Sequence, residues 1–266
     1  MSRRSIDAAQ LGLAGAPRRF ELHGALPPSP RLAIVGSRAM LHALDREVEQ
    51  AVRVAAEHGH AVASGGAIGI DAAVHRAALT HGVPQLAVLP CGSDRPYPAQ
   101  HRGLFEAIAA APGSGVLFAQ PSGTPPRRAM FVSRNALLVA LCDACVVMQA
   151  EARSGSETTG RLALRRGIAV AAVVGTPGCA ALVAAGARAL RPGEGPEALV
   201  AWLQGRVAPV HWPQALEPLR ARLQLAGARG ASLDRLGGPA VALDLLRAEA
   251  LGLALQIAPG VWVPAG

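Results

Sequence analysis

Aromatic side chains make up only 3% of the 266 residues, and lysine is absent. The first shortage leaves few rings for stacking on planar ligands. It also implies close helix–strand packing through small residues, alanine above all. The second leaves arginine to carry the positive charge. Long hydrophobic runs are missing too: none reaches the ~18–20 residues that cross a bilayer. The N-terminus, with Arg3, Arg4 and Asp7, lacks the apolar stretch of a signal peptide. A cytoplasmic chain with no membrane partner is expected.

Cysteines are few: Cys91, Cys142, Cys145 and Cys179. Cys142 and Cys145 have CxxC spacing where a helix is expected to end and a buried strand to begin. No second CxxC and no histidine pair completes a zinc set, so these are expected to be structural thiols. No metal and no other cofactor is expected. His75 and His101 have no ligand partners at suitable spacing and read as ordinary helix residues. The P-loop order GxxxxGK[ST] is absent, so the chain is no obvious ATPase.

What is present begins with a basic balance. Lys plus Arg number 26 against 18 for Asp plus Glu, a net charge of +8, and 51% of residues are hydrophobic, ample for a core. Arginine offers a forked donor set that suits phosphate, so the excess fits a polyanionic partner. An arginine-rich composition with a basic, soluble surface accounts for it equally well. The length suits one substantial domain with an appendage, or two small domains.

Residues 1–30 are poorly periodic and end in Pro27-Pro28-Ser29-Pro30, an N-terminal arm that reads as a linker or irregular cap. Beyond it, strands are expected over 32–35, 61–64, 85–90, 116–119, 145–148 and 169–174. Helices over 45–58, 69–81, 99–110, 134–142 and 155–166 separate them. Near-continuous apolar strands alternating with amphipathic helices predict an α/β fold, a parallel sheet covered on both faces. A closing helix over 196–203 ends a domain of residues 31–205, and 206–215 reads as a linker. Short helices over 216–224, 233–236 and 240–250 follow, then a hairpin of 253–257 and 261–263 across Ala258-Pro259-Gly260. That order suggests a small winged-helix-like domain over 216–266.

Right-handed crossovers bring the strand C-termini to one edge of such a sheet, its ligand side. Gly36-Ser37-Arg38 follows the first strand and Ser64-Gly65-Gly66-Ala67-Ile68-Gly69-Ile70-Asp71 the second. Cys91, Asp94, Tyr97 and Pro98 follow the third. Arg127, Arg128, Phe131, Arg134 and Asn135 follow the fourth, and Ser154-Gly155-Ser156-Glu157-Thr158 the fifth. Glycines such as Gly65, Gly66 and Gly69 let backbone amides approach an anion at the positive end of the next helix. Glycine at a strand–helix turn is also a packing device. Arg38 suits a phosphate, or pairs with a surface carboxylate. Arginines around Phe131 suit single-stranded nucleic acid, with guanidinium groups on phosphates and a ring on a base; Phe131 as a core residue is the alternative. Asn135, opening the expected helix, also suits a helix cap. Ser154, Gly155 and Ser156 offer hydroxyls and amides to an oxyanion, or Ser156 is only the N-cap. Glu157 would repel a phosphate, but stands four residues before Arg161, at the spacing of an intrahelical pair. Asp71 caps backbone groups, orients Arg38, or acts as a catalytic carboxylate.

In this order the residues resemble the bacterial DNA-processing protein A family (DprA, also called Smf). The matching elements are Ala33-Ile34-Val35-Gly36-Ser37-Arg38, the Ser64–Asp71 stretch with His75, and Asp94 with Tyr97-Pro98. Phe131 followed by Arg134-Asn135, then Ser154-Gly155-Ser156, completes the series. The resemblance spans about residues 31 to 180 and, more weakly, the C-terminal segment. It implies an extended Rossmann-like domain that binds single-stranded DNA without catalysis. It also implies a homodimer that protects incoming DNA in natural transformation and recombination and helps load the recombinase RecA. By motif position Arg38 and the glycine stretch hold phosphates, Arg128 takes the place of a basic residue common in relatives, and Phe131 contacts a base. The chain departs from the pattern in four places. The family's helical N-terminal domain is missing or reduced to the arm, and Ala39-Met40-Leu41 replaces a proline-rich continuation. Glu157 stands where relatives are apolar, and Arg247 is the only base in 240–250, a poor duplex reader. The alternative is a nucleotide-binding enzyme or sensor of the phosphoribohydrolase type, with Glu157 or Asp71 in acid–base service.

Overall fold

The computed structural model describes residues 3–11, 19–191, 194, 196–205, 213–250 and 253–264. The chain forms two compact units, 1–148 and 149–266. In the first unit β1 (Arg3–Asp7) and β2 (Arg19–Gly24) precede a regular alternation. It comprises β3 (Arg31–Gly36), α1 (Asp45–Glu57), β4 (Ala61–Ser64), α2 (Ile70–Thr80), β5 (Gln85–Leu89) and α3 (Arg102–Ala110). β6 (Gly115–Phe118), α4 (Arg128–Ala140) and β7 (Ala144–Gln149) complete it. The sheet runs β1-β2-β6-β5-β4-β3-β7. Strands β3 to β6 pair in parallel, as the α/β reading expected. Every residue of β4, β5 and β6 is buried, which is why these strands read as unbroken apolar runs. Helix α1 turns Val48, Ala51, Val52 and Ala55 inward at helical spacing, and its first turn carries Asp45 and Glu47 at the positive end of the dipole.

The sequence reading missed two features of this unit. The arm before residue 30 is not irregular: β2 pairs antiparallel with β6, and β1 antiparallel with β2. Phe20 and Leu22 turn inward, 5% and 0% exposed, alternating with Arg19 and Glu21. An alternation this short, with charged residues on its other face, gives little periodic signal. Helix α4 begins at Arg128, not near residue 134. It buries Arg134 at 5% exposure and leaves Val132 62% exposed, the reverse of an ordinary amphipathic pattern.

The second unit contains α5 (Gly155–Arg165), β8 (Ala169–Val173), α6 (Pro177–Ala184), β9 (Arg188–Leu190) and α7 (Pro196–Leu203). After it come α8 (Glu217–Ala226), β10 (Ala231–Ser232), α9 (Leu233–Leu236), α10 (Ala242–Ala250), β11 (Ala254–Ala258) and β12 (Val261–Pro264). Strands β8 and β9 are parallel. Helix α6 is apolar on all sides, so it carries no 3.6-residue signal and escaped the sequence reading. The last segment has the expected helices and hairpin, its sheet ordered β10-β12-β11 around Leu219, Leu223, Leu236, Leu245 and Ala248. The element order is helix, short strand, two helices and hairpin. Residues 206–212, most of the expected linker, lie outside the described residues. No helix among the described residues is long and apolar enough to cross a membrane.

All four cysteines are buried and none is joined in a disulfide. Burial pushes the Cys145 thiol up to about 12, Cys179 to about 11, and Cys142 above its ordinary value. Thiols held this firmly in the neutral form are packing groups.

His75 is not the ordinary helix residue expected. It is fully buried, with Nδ1 2.7 Å from Gln85 Oε1, and burial pushes its imidazole down to about 4. The unfolded chain therefore takes up a proton near pH 6.5 that the folded chain refuses until about pH 4. Across that window stability falls as pH is lowered, by up to about 3 kcal/mol. Urea unfolding of His75→Gln between pH 7 and 4.5 should show a shallower loss than the parent. An equally steep loss would assign the pH dependence to other groups.

Candidate functional site

The loops leaving the C-terminal ends of β3 and β4 interlock. Ile70 N donates to Ser37 O at 3.1 Å. Gly69 has φ +79°, and a Cβ there would come within 2.6 Å of Arg38 O and closer still to Ser37 O. Only glycine allows this approach. Ser37 Oγ accepts from Ala39 N at 3.1 Å. Ser64 is fully buried and its hydroxyl donates to Ile34 O at 2.7 Å, so it faces the interior. Ala67 N donates to Asp71 Oδ2 at 3.2 Å. Two amides of the Ser64–Asp71 stretch are thus engaged within the fold, where the sequence suggested an open anion cradle. The stretch is first a clasp.

Beneath it α4 inserts Arg134. Its Nη1 donates to Val88 O at 3.3 Å and lies 3.9 Å from Asp71 Oδ2. Gly65 leaves the necessary room: a Cβ there would overlap Arg134 Nη1 and stand 2.7 Å from Asp71 Oδ2. Burial pushes the Asp71 carboxyl up, opposed by the Arg134 guanidinium and by backbone amides of Ala67 and Gly36. Burial pushes Arg134 down, Asp71 opposes this, and Arg38 adds like-charge repulsion. Of the roles considered for Asp71, capping backbone groups is the one seen. Its guanidinium partner is Arg134 and not Arg38.

On the surface above, the Arg38 guanidinium carbon sits 5.3 Å from the Phe131 ring centroid, within cation–π range. The Tyr97 ring meets Phe131 edge-on, centroids 5.6 Å apart at 85°. Arg128 is the first residue of α4 and Arg127 its N-cap; both are exposed. Phe131 and Asn135 follow on the same helix, half-buried. In the sequence Tyr97 and Asp94 mark the loop after the third strand and one element of the family resemblance, with no contact assigned to either. Asp94 accepts from Gly123 N at 2.7 Å and Ser122 Oγ at 3.1 Å, and Gly92 N donates to Thr124 O at 3.2 Å. These bonds fix the loop that leads to Arg127. A lone tyrosine and a lone aspartate carry no spacing signal that would have revealed either contact.

In the second unit Ser154 is the N-cap of α5, its Oγ accepting from Glu157 N at 3.2 Å. That cap is Ser154, where the sequence reading considered Ser156. Gly155 and Ser156 form the first turn. Glu157 is 7% exposed, accepts from Arg153 N and pairs with Arg161 Nε at 2.6 Å, the pairing its spacing allowed. Among the described residues no group of three or more His, Cys, Asp or Glu is placed to hold a metal ion.

A parallel α/β sheet whose C-terminal edge carries a glycine clasp, exposed arginines and a half-buried ring belongs to the Rossmann-like class. The chain is a member of the DNA recombination-mediator protein A family, whose profile matches residues 12–198. It is 42% identical over 167 residues to a DNA processing protein DprA of Mycobacterium tuberculosis, covering 60% of this chain and 42% of that one. It is 33% identical over 171 residues to DNA processing protein DprA of Streptococcus pneumoniae, covering 62% and 60%. The chain thus spans about 40 to 60% of these relatives' length. The X-ray structure of the Streptococcus pneumoniae protein superposes with a TM-score of 0.65 at 29% identity, covering 74% of this chain and 73% of the other. DNA processing protein A of Helicobacter pylori gives 0.66 at 23% identity, covering 77% and 97%, a likeness of fold.

Gly65→Ala should destabilise the first unit by about 2–3 kcal/mol, because the new methyl meets a buried charged group that cannot retreat. The same change in an Arg134→Leu background should cost clearly less. Additive effects in a double-mutant cycle of unfolding free energies would show that the two positions do not meet.

Proposed function

We propose that this protein binds single-stranded DNA, without catalysis, at the C-terminal edge of the first unit's sheet. In this reading it acts as a homodimer in recombination and DNA uptake, protecting the strand and assisting the recombinase RecA. The contact of Arg38 with Phe131 carries the reading. A cation suited to phosphate and a ring suited to a base stand side by side, which is the repeating chemistry of a nucleic-acid strand. Arg38 and Arg134 repel each other with one carboxylate, Asp71, between them and neutrality. A phosphate beside Arg38 relieves that repulsion. A single stacking ring reads no base edge, so binding tolerates any sequence. Exposed Arg127 and Arg128 extend the positive surface, and Asn135 lies one turn beyond Phe131 on the same helix.

The DNA-processing names of the relatives support this reading, as does the single-stranded DNA binding mode of the Helicobacter pylori protein. The first turn of α5, with Ser154, Gly155 and Ser156, serves as a further phosphate contact. Asp71 and Glu157, the carboxylates considered for acid–base work, each lie beside an arginine and accept from a backbone amide, which suits structural roles. The segment 216–266 acts as a separate winged-helix-like domain behind the 206–215 linker. Arg247 is the only base on α10, so a protein contact suits it better than duplex reading.

Fluorescence anisotropy with unstructured oligonucleotides at several salt concentrations tests the site. Arg38→Ala and Arg128→Ala should each weaken binding and lower the slope of log affinity against log salt by about 0.7. Phe131→Ala should cost about 1–3 kcal/mol with the slope unchanged. Parent-like affinity in the arginine variants, a preference for duplex, or release of free base from nucleoside monophosphates would overturn the reading.

A further inference from the structure

A second basic feature stands at the edge of the same sheet. A pocket of about 390 Å³ is lined by Arg3, Arg4, Arg19, Phe20, Glu21 and Gln120, among others. Strand β2 runs antiparallel to β6 with Glu21 opposite Phe118. Arg19 and Phe20 therefore come level with the residues just past β6, on the edge from which the site loops leave. The lining is more cationic than its composition implies. Glu21 accepts from Ser93 Oγ at 2.6 Å and meets His23 Nε2 at 2.6 Å, so its oxygens are occupied. Asp7 is drawn to Arg19 at 3.2 Å. Arg3 and Arg4 have no carboxylate within ion-pair distance among the described residues.

The loop after β6 joins this pocket to the first site. Pro121 lines the pocket, Ser122 and Gly123 are clamped to Asp94, and Arg127 and Arg128 follow. The chain from Pro121 to Arg127 spans at most about 20 Å. Arg3, drawn to Glu21 only at longer range, and Arg4, with a carboxamide and the Phe20 side of the lining, offer chemistry that suits a phosphodiester with its sugar or base. We propose that this pocket is a second subsite for the nucleic-acid backbone, holding the strand that flanks the nucleotide at Arg38 and Phe131. The inference rests on the reading that the first site holds single-stranded DNA.

The test compares oligothymidines of about six and about fifteen nucleotides, on the full chain, by anisotropy across a salt series. The parent should bind the longer strand more tightly. Arg3→Ala/Arg4→Ala should bind the short strand as the parent does, which also certifies its fold, yet lose the gain with length. Its salt slope on the long strand should fall by about 1.4, two phosphate contacts at about 0.7 each. Gln120→Glu, which adds a repelling carboxylate to the pocket, should lose the gain as well. A double variant that keeps the parent's gain, or weakens short and long strands equally, overturns the subsite. So does a parent that binds the short strand with no gain on lengthening, which leaves the first site standing. A parent that binds neither strand overturns the first site and the subsite with it.

Discussion

The candidate site hangs on one buried guanidinium. Arg134 reaches from α4 through the space left by Gly65 to Asp71 and Val88 O. The bond to Val88 fixes the helix against β5, and Asp71 fixes it against the start of α2. A charged pair inside a sheet is a weak source of net stability, because desolvation offsets most of its attraction. It is a strong source of position: a half-formed pair leaves an uncompensated buried charge, so alternative placements of α4 are penalised. Arg128 and Phe131 stand on that helix, and their surface positions follow from the buried residue.

The loops around it are held in the same manner, by contacts that only particular residues permit. Gly69 admits the carbonyls of Ser37 and Arg38, which sets Arg38 beside Phe131. Asp94 holds the amide of Gly123 and so the approach to Arg127. The backbone of these loops is therefore fixed by contacts within the fold. Arginine suits both levels of this construction. Its planar guanidinium lies over a ring at the surface and bridges a carbonyl and a carboxylate in the interior, where a lysine ammonium offers neither geometry.

Much of this was legible in the sequence, for identifiable reasons. The parallel strands showed because burial on both faces makes them continuous apolar runs, and their loops then had to share one edge. Arg38, Phe131 and the glycine stretch were found that way. Legibility failed where local pattern and tertiary role diverge. Residues 128–133 were read as loop because α4 exposes Val132 and buries Arg134. Strands β1 and β2 were missed because their inward residues are few and their outward ones charged. The contacts of Tyr97 with Phe131 and of Asp94 with Gly123 join distant segments through single residues, and no periodicity records such a meeting.

The net charge of +8 left two explanations open, a polyanionic partner or a merely arginine-rich composition. The distribution of partners gives each its share. Carboxylates near the candidate surfaces are spoken for: Asp71 by Arg134, Glu157 by Arg161, Asp94 by backbone amides and Glu21 by Ser93 and His23. Among the described residues no carboxylate pairs with Arg38, Arg127 or Arg128. Among the described residues, exposed arginines outside ion-pair distance of any carboxylate also stand elsewhere, Arg46 on α1, Arg76 on α2 and Arg102 on α3 among them, so composition accounts for part of the excess. Arg38, Arg127 and Arg128 are set apart by their place, on the edge of the sheet where a Rossmann-like fold takes its ligands and beside one of the few rings the chain possesses. That place, and not the net charge, is what supports the proposed contact with phosphate.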